Sequence, residues 1–277
     1  MSQTNLAHQE VPFFISIPHA GEMIPDQTPW LKNLHEEVLM SDVDRYVDRL
    51  YQPALNQLRI PFQQTQWHRY AVDLNRFPSD VDVDSVLGSK NKSGSHSDGY
   101  HWVMTKNEFK LMAQPMTLEV HKNLTQLIFE PFHEGIRNLY SFFKNKSFKE
   151  VYHLDAHSMP SVGTRMHKDP GEMRADVVVS DCSGQSCTPE FRDLVIAAYV
   201  TAGFKVGYNW PYLGGRVTEF YGKPDQGQQT IQVELNRKLY MDEKTKKIHD
   251  GHIFVQQKIT TALIRIKSEL ANRQHKM

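Results

Sequence analysis

Cysteine is scarce: the 277-residue chain has two, Cys182 and Cys187, five positions apart in Asp181-Cys182-Ser183-Gly184-Gln185-Ser186-Cys187. That count excludes a four-thiolate zinc site and a disulfide framework, and both residues are expected as free thiols in a loop. Net charge is missing as well, because 32 Lys and Arg balance 32 Asp and Glu. A protein that holds nucleic-acid phosphates mainly by charge needs a basic excess, so a dedicated nucleic-acid binder is not expected. No window approaches the roughly 18 uninterrupted apolar residues of a membrane span. Residues 1–10 also lack a basic stretch followed by an apolar run. Together these absences predict a soluble, cytoplasmic protein. No internal repeat or compositional break divides the chain, so one domain over residues 1–277 is expected.

What the sequence does have is apolar mass and histidine. Hydrophobic residues make up 39 %, with 14 Phe, 11 Tyr and 4 Trp, enough to close a sizeable core. The 14 His supply nitrogen donors that bind metal or titrate near neutral pH.

Short apolar runs alternate with helical periodicity along the chain. Val11–Pro18, Arg69–Arg76, Val151–Asp155, Arg174–Asp181, Phe204–Tyr208 and Thr230–Asn236 read as strands. Apolar residues at three- and four-residue spacing predict an amphipathic helix within Leu31–Leu58, with Ser41 as its cap. Further helices are expected over Lys106–Phe143, broken at Pro115 and Pro131, over Pro189–Ala202 and over Ile253–Ala271. The polar stretch Ser79–Gly99 reads as a mobile loop or lid. This alternation predicts a single three-layer α/β/α domain with a mixed, largely parallel central sheet.

Ligands of open α/β sheets gather beyond the carboxyl ends of the strands. His19 follows the first strand, Asn75 and Arg76 end the second, and His157 follows Val151–Asp155. His19 and Glu22 form a His-x-x-Glu spacing that lets one loop present an imidazole and a carboxylate to the same metal. With His157 the set matches the two nitrogens and one oxygen of a catalytic zinc site that keeps a position open for water. Asp155 is placed to orient His157. Asn75 and Arg76 set an amide beside a planar guanidinium, a pair suited to gripping a carboxylate. Arg69 is placed to polarise a carbonyl or bind a second carboxylate. Glu234 sits inside apolar Ile231–Leu235, where a carboxylate must be paired or raised in pKa.

Several segments, taken in order, resemble one known family. They are Pro18-His-Ala-Gly21, Ser41-Asp-Val-Asp-Arg-Tyr-Val-Asp-Arg-Leu-Tyr51, Arg69-Tyr-Ala-Val-Asp-Leu-Asn-Arg76, Pro131-Phe-His133, Asp155-Ala-His-Ser-Met-Pro160, Ala175-Asp-Val-Val-Val-Ser-Asp181, Asn209-Trp-Pro-Tyr-Leu-Gly-Gly215 and Gln232-Val-Glu-Leu-Asn-Arg237. As a set, over about residues 11 to 240, they are similar to the N-formylglutamate amidohydrolases (deformylases). The resemblance implies a fold related to the zinc carboxypeptidases and the aspartoacylase group. It implies one zinc ion held by His19, His157 and either Asp44 or Glu22. It also implies Asn75 and Arg76 as the clamp for the substrate's α-carboxylate and Glu234 as general base. Arg69 or Arg216 would stabilise the oxyanion or hold the second carboxylate. The implied reaction is hydrolysis of N-formyl-L-glutamate to formate and L-glutamate, a step of histidine degradation. The alternatives are a zinc hydrolase of the same fold acting on another N-acyl amino acid or a peptide C-terminus, and a catalytically silent binding protein.

Overall fold

Strand β1 (Phe13–Ile17), apolar but for Ser16, is buried along its whole length, as expected where a sheet is covered on both faces. Its side chains alternate: Phe13, Ile15 and Ile17 join one core, and Phe14 joins the other. The computed structural model describes residues 10–274, so nearly all of the N-terminal stretch read above for a leader lies outside the described residues. The strand belongs to a six-stranded sheet in the order β2 (Phe62–Gln64), β1, β3 (Val151–Met159), β6 (Gln228–Asn236), β4 (Val177–Ser180), β5 (Val206–Tyr208). Neighbouring strands run parallel except for β4, which lies antiparallel to β6.

Helices cover both faces. On one side α2 (Val47–Leu58), α5 (Pro189–Thr201) and α7 (Gly251–Gln274) bring Leu50, Phe191, Val195, Ile259 and Leu263 against Ile15, Leu154 and Val233. On the other, α4 (Glu130–Asn145) and α6 (Arg216–Tyr221) pack with the irregular chain from Tyr70 to Met116 over Phe14 and Val151. The short α1 (Glu36–Leu39) and α3 (Leu118–Leu124) complete the helices used below. The expected three-layer α/β architecture with a mixed, largely parallel sheet is the one observed.

Four local expectations are corrected, each for an identifiable reason. Residues Arg69–Arg76 form successive turns and not a strand, because the buried Asp73 carboxylate accepts the Asn75 amide at 2.9 Å and folds the backbone around itself. Ser41 does not cap a helix: α2 starts at Val47 after Tyr46 in a left-handed conformation (φ 70°), and the Ser41 hydroxyl bonds Asp42 and Tyr70 instead. Strand β3 continues to Met159, so His157 lies within a strand and not in a loop after it. The chain does not break at Pro131, since α3 runs through a widened π turn (Thr125–Phe129) straight into α4. That wide turn immediately before the proline accommodates a ring that would clash in a regular helix. Residues Lys106–Thr117, by contrast, are irregular. Strand β2 and helix α6 were not anticipated; both are too short for periodicity to register.

Phe191 is fully buried where α5 meets the sheet, while Phe254 on α7 is 67 % exposed. Phe191→Ala is expected to lower unfolding free energy by about 3–5 kcal/mol. Phe254→Ala is expected to stay within about 0.5 kcal/mol of the parent in the same urea titration.

Candidate active site

Three backbone elements converge at one end of the sheet. His19 follows β1, and its carbonyl accepts the Asp44 amide at 3.0 Å, which fastens the Ser41–Asp44 loop to the strand end. On β3, Asp155 and His157 are two residues apart and share a face. In the parallel ladder His157 stands level with Glu234 of β6, and Asp155 with Gln232.

Each of the two imidazoles is held from outside by a carboxylate. His19 Nε2 lies 2.8 Å from Asp73 Oδ1, and His157 Nε2 lies 2.8 Å from Asp155 Oδ2. Asp155 is itself fixed by the Ser16 hydroxyl, which donates to Oδ1 at 2.5 Å. The inner nitrogens both face Asp44, with His157 Nδ1 at 3.0 Å from Oδ2 and His19 Nδ1 at 3.5 Å. His19 Nδ1 is buried and has no hydrogen-bond partner. Candidate ligand atoms of His19, Asp44 and His157 all lie within 4.8 Å of one another. Two imidazoles with carboxylates behind them and their second nitrogens turned inward to a third donor are what a divalent cation requires, and the residues present fit one.

The charges explain the protonation pattern. Burial alone would raise the Asp44 carboxyl, but the hydrogen bond from His157, the neighbouring His19 imidazole and the Arg69 charge hold it well below the ordinary range. Burial would lower His157, yet Asp155 and Asp44 outweigh it and the imidazole is held well above its usual value. The pocket is thus built to keep positive charge between buried carboxylates. Glu234 behaves oppositely: burial first, then the Asp44 charge, push it up to about 7 against His157 and Arg237. Its Oε1 accepts from Gln232 Nε2 at 2.9 Å, and the Gln232 oxygen accepts the Gly215 amide at 2.7 Å.

His19, Asp44, Arg69, Asn75, Arg76, His157 and Glu234 all line one cavity of about 620 Å³. Arg69 donates to Asp73 at 2.9 Å and to the Asp42 carbonyl at 2.8 Å, and stacks over Trp102. The Asn75 oxygen accepts the Val217 amide at 2.7 Å. A Cβ on Gly215 would sit 1.9 Å from Asn75 Nδ2, so glycine there is what lets the amide reach its place. Arg76 is partly exposed and rests on the carbonyls of Asn75 and Asp98.

Two expected site residues lie elsewhere. Glu22 is paired with Arg45 at 2.9 Å and belongs to neither the three-residue cluster nor the cavity wall, because its loop turns it outward to that guanidinium. Arg216, at the exposed start of α6, pairs with Glu219 and faces a second, smaller cavity. The Ser79–Gly99 loop does not line the main cavity; it is braced internally by Asp82, which accepts amides of Asp84, Ser85 and His96. His167 lines the cavity, whereas His101 and His133 do not.

Two residues that sequence reasoning passed over hold the cluster together. Asp73 supports His19, Arg69 and Trp102 at once, and Arg237 donates to Asp44 Oδ1 at 3.1 Å and to Ser158 Oγ at 3.1 Å. Both stood inside quoted segments; Asp73, between apolar Val72 and Leu74, carried the signal that singled out Glu234, whereas Arg237, between Asn236 and Lys238, carried none.

Fold and site together define a three-layer α/β protein with a histidine-carboxylate cluster and a buried acid at one end of the sheet. The chain belongs to the N-formylglutamate amidohydrolase family, whose profile matches residues 11–241. It is 30 % identical over 239 residues to an N-formylglutamate deformylase of Pseudomonas aeruginosa, covering 84 % of each chain. Its fold is similar to that of the N-formylglutamate amidohydrolase of Ralstonia eutropha JMP134, with TM-score 0.85 and 24 % identity over 95 % of both chains. It is also similar in fold to gene product Atu2144 of Agrobacterium tumefaciens, with TM-score 0.69 and 16 % identity over 99 % of this chain and 94 % of that one.

The raised Glu234 pKa has a consequence for stability. An acid whose folded pKa lies near 7 binds its proton more tightly folded than unfolded, where the value is about 4.5. Its contribution is therefore present below pH 4.5 and lost as pH rises to 7. In metal-free protein, Glu234→Gln is expected to gain on the parent by roughly 3 kcal/mol across that window and to hold the gain above it, read from urea midpoints at successive pH values.

Proposed function

We propose that this protein hydrolyses the formyl amide of N-formyl-L-glutamate, giving formate and L-glutamate, with one divalent ion, zinc, held by His19, Asp44 and His157. The observation that carries the reading is the pair of inward imidazole nitrogens, one of them without a partner, turned to a buried Asp44. Family membership and the likeness to the Pseudomonas aeruginosa deformylase support the substrate. Zinc bound there supplies Lewis acidity, polarising the formyl oxygen and lowering the pKa of water.

The chain's own residues do the rest. Glu234, held near neutrality by burial, accepts a proton from the attacking water and delivers it to the departing amine nitrogen as the C–N bond breaks. Its tether to Gln232 fixes one carboxyl oxygen and leaves the other for this proton. Arg76 and the Asn75 amide clamp the α-carboxylate, which orients the formyl group toward Glu234. Arg69 sets a fixed positive charge beside the reacting carbonyl, already oriented by Asp73 and Asp42. Asp73 and Asp155 hold both imidazoles by Nε2 and so turn both Nδ1 atoms inward, where a metal ion would take them.

Metal analysis of purified protein is expected to give one equivalent of zinc, lost in Asp44→Ala and kept in Glu22→Ala; retention by the first variant would remove Asp44 from the ligand set. In a formate-release assay, Glu234→Gln is expected to lose on the order of 10²–10⁴ in kcat with metal still bound. Arg76→Ala should act chiefly on KM, and only for substrates with a free α-carboxylate. A panel in which another N-acyl amino acid were turned over faster than N-formyl-L-glutamate would reassign the substrate.

A further inference from the structure

A second cavity of about 250 Å³ lies behind the Asn75–Phe77 turn, walled by Phe77, Phe129, Phe220, Tyr221 and the neutral His133. Three arginines, Arg76, Arg137 and Arg216, help line this mostly apolar cavity, Arg216 being paired outside it with Glu219; among the described residues no carboxylate lines it. Burial pushes His133 down to about 4, and its ring is already committed to the Tyr221 hydroxyl and the Leu74 carbonyl, so it offers a flat wall and no charge. Arg216 lies over the Phe77 ring at 4.9 Å, and Phe77 meets Phe220 edge-on at 5.8 Å. Aromatic planes with guanidiniums at the rim are complementary to a flat apolar body carrying an anionic group, since guanidinium forks carboxylate and stacks on rings. The volume is below the roughly 300–1,000 Å³ of drug-sized sites and suits a single ring.

We infer that this cavity is a second binding site, for a small aromatic carboxylate, and that it is coupled to the first site through Arg76. Arg76 lines both cavities. Its guanidinium is anchored mainly by two carbonyls, with the Asp98 carboxylate 3.7 Å away and shared with Lys106. An anion held by Arg137 and Arg216 would draw the Arg76 guanidinium toward itself and away from the α-carboxylate clamp. Occupancy of the second site therefore weakens the first, and the first weakens the second by the same factor. The coupling rests on the clamp assigned to Arg76 above; binding to the second cavity does not.

Benzoate is the probe. Calorimetric titration of the full chain should show saturable binding, weakened at least tenfold by Arg137→Gln and by Phe220→Ala, neither of which lines the main cavity. Acetate, which lacks the ring, should bind at least tenfold more weakly. Saturating benzoate should raise the KM for N-formyl-L-glutamate severalfold at unchanged kcat in the parent but not in Arg137→Gln. If N-formyl-L-glutamate is not turned over, its own calorimetric affinity with and without benzoate reads the coupling, so the two readings fail separately. Absence of benzoate binding, or binding untouched by both variants, would overturn the second site. Saturable binding with no effect on N-formyl-L-glutamate affinity would overturn the coupling.

Discussion

The arrangement depends on one buried carboxylate. Asp44 is almost fully shielded from water, and an unpaired charge there would be expensive. It is met by His157 and His19 through one oxygen and by Arg237 through the other. These partners come from β3, from the end of β1 and from the turn after β6, so a single anion draws three separate strand ends to one point. Arg69, 3.7 Å away, adds a fourth segment. Removing Asp44 would leave two guanidiniums facing each other across a buried space, which is why the anion organises the site and does not merely occupy it.

A second tier of carboxylates sets the direction of the first. Asp73 and Asp155 do not line the main cavity, yet they decide which nitrogen of each imidazole faces inward. Asp155 is itself gripped by Ser16 of β1, whose hydroxyl lies 2.6 Å from the His153 ring that stacks on Phe14. The chain of contacts runs from the cluster into the apolar layer beneath the sheet, so the orientation of His157 is inherited from core packing. Polar groups within these otherwise apolar strands are partnered from several elements: Asp155 by Ser16 of β1 and His157 of β3, Glu234 by Gln232 of β6, and Thr230 by Tyr140 of α4.

The longer strands were legible because they carry the sheet's burial pattern, as in β1 and β6, and the helices α2 and α4 because they carry a sustained 3.6-residue period. The irregular elements were not. Arg69–Arg76 alternates like a strand, but Asp73 pulls its own backbone into a turn, and that preference depends on donors from residues as distant as His19 and Trp102. At the site, His19, Asn75, Arg76, His157 and Glu234, singled out for their chemistry, all line the main cavity, although of these only His19 follows the end of the strand read for it. Glu22 and Asp44 were indistinguishable locally: one is turned outward to Arg45 and the other inward to two histidines, and only the tertiary path of the Ser41–Asp44 loop decides between them. Arg216, at a helix start invisible to periodicity, lines the smaller cavity and not the main one.

The register between β3 and β6 carries a further meaning. His157 and Glu234 stand level across one rung of a parallel ladder, so their backbones are held about 4.8 Å apart by interstrand hydrogen bonding. A pair set in this way cannot drift out of alignment gradually. It persists while the central rungs remain closed and disappears when they open, which makes the slowest-exchanging amides of the sheet the timekeepers of the site.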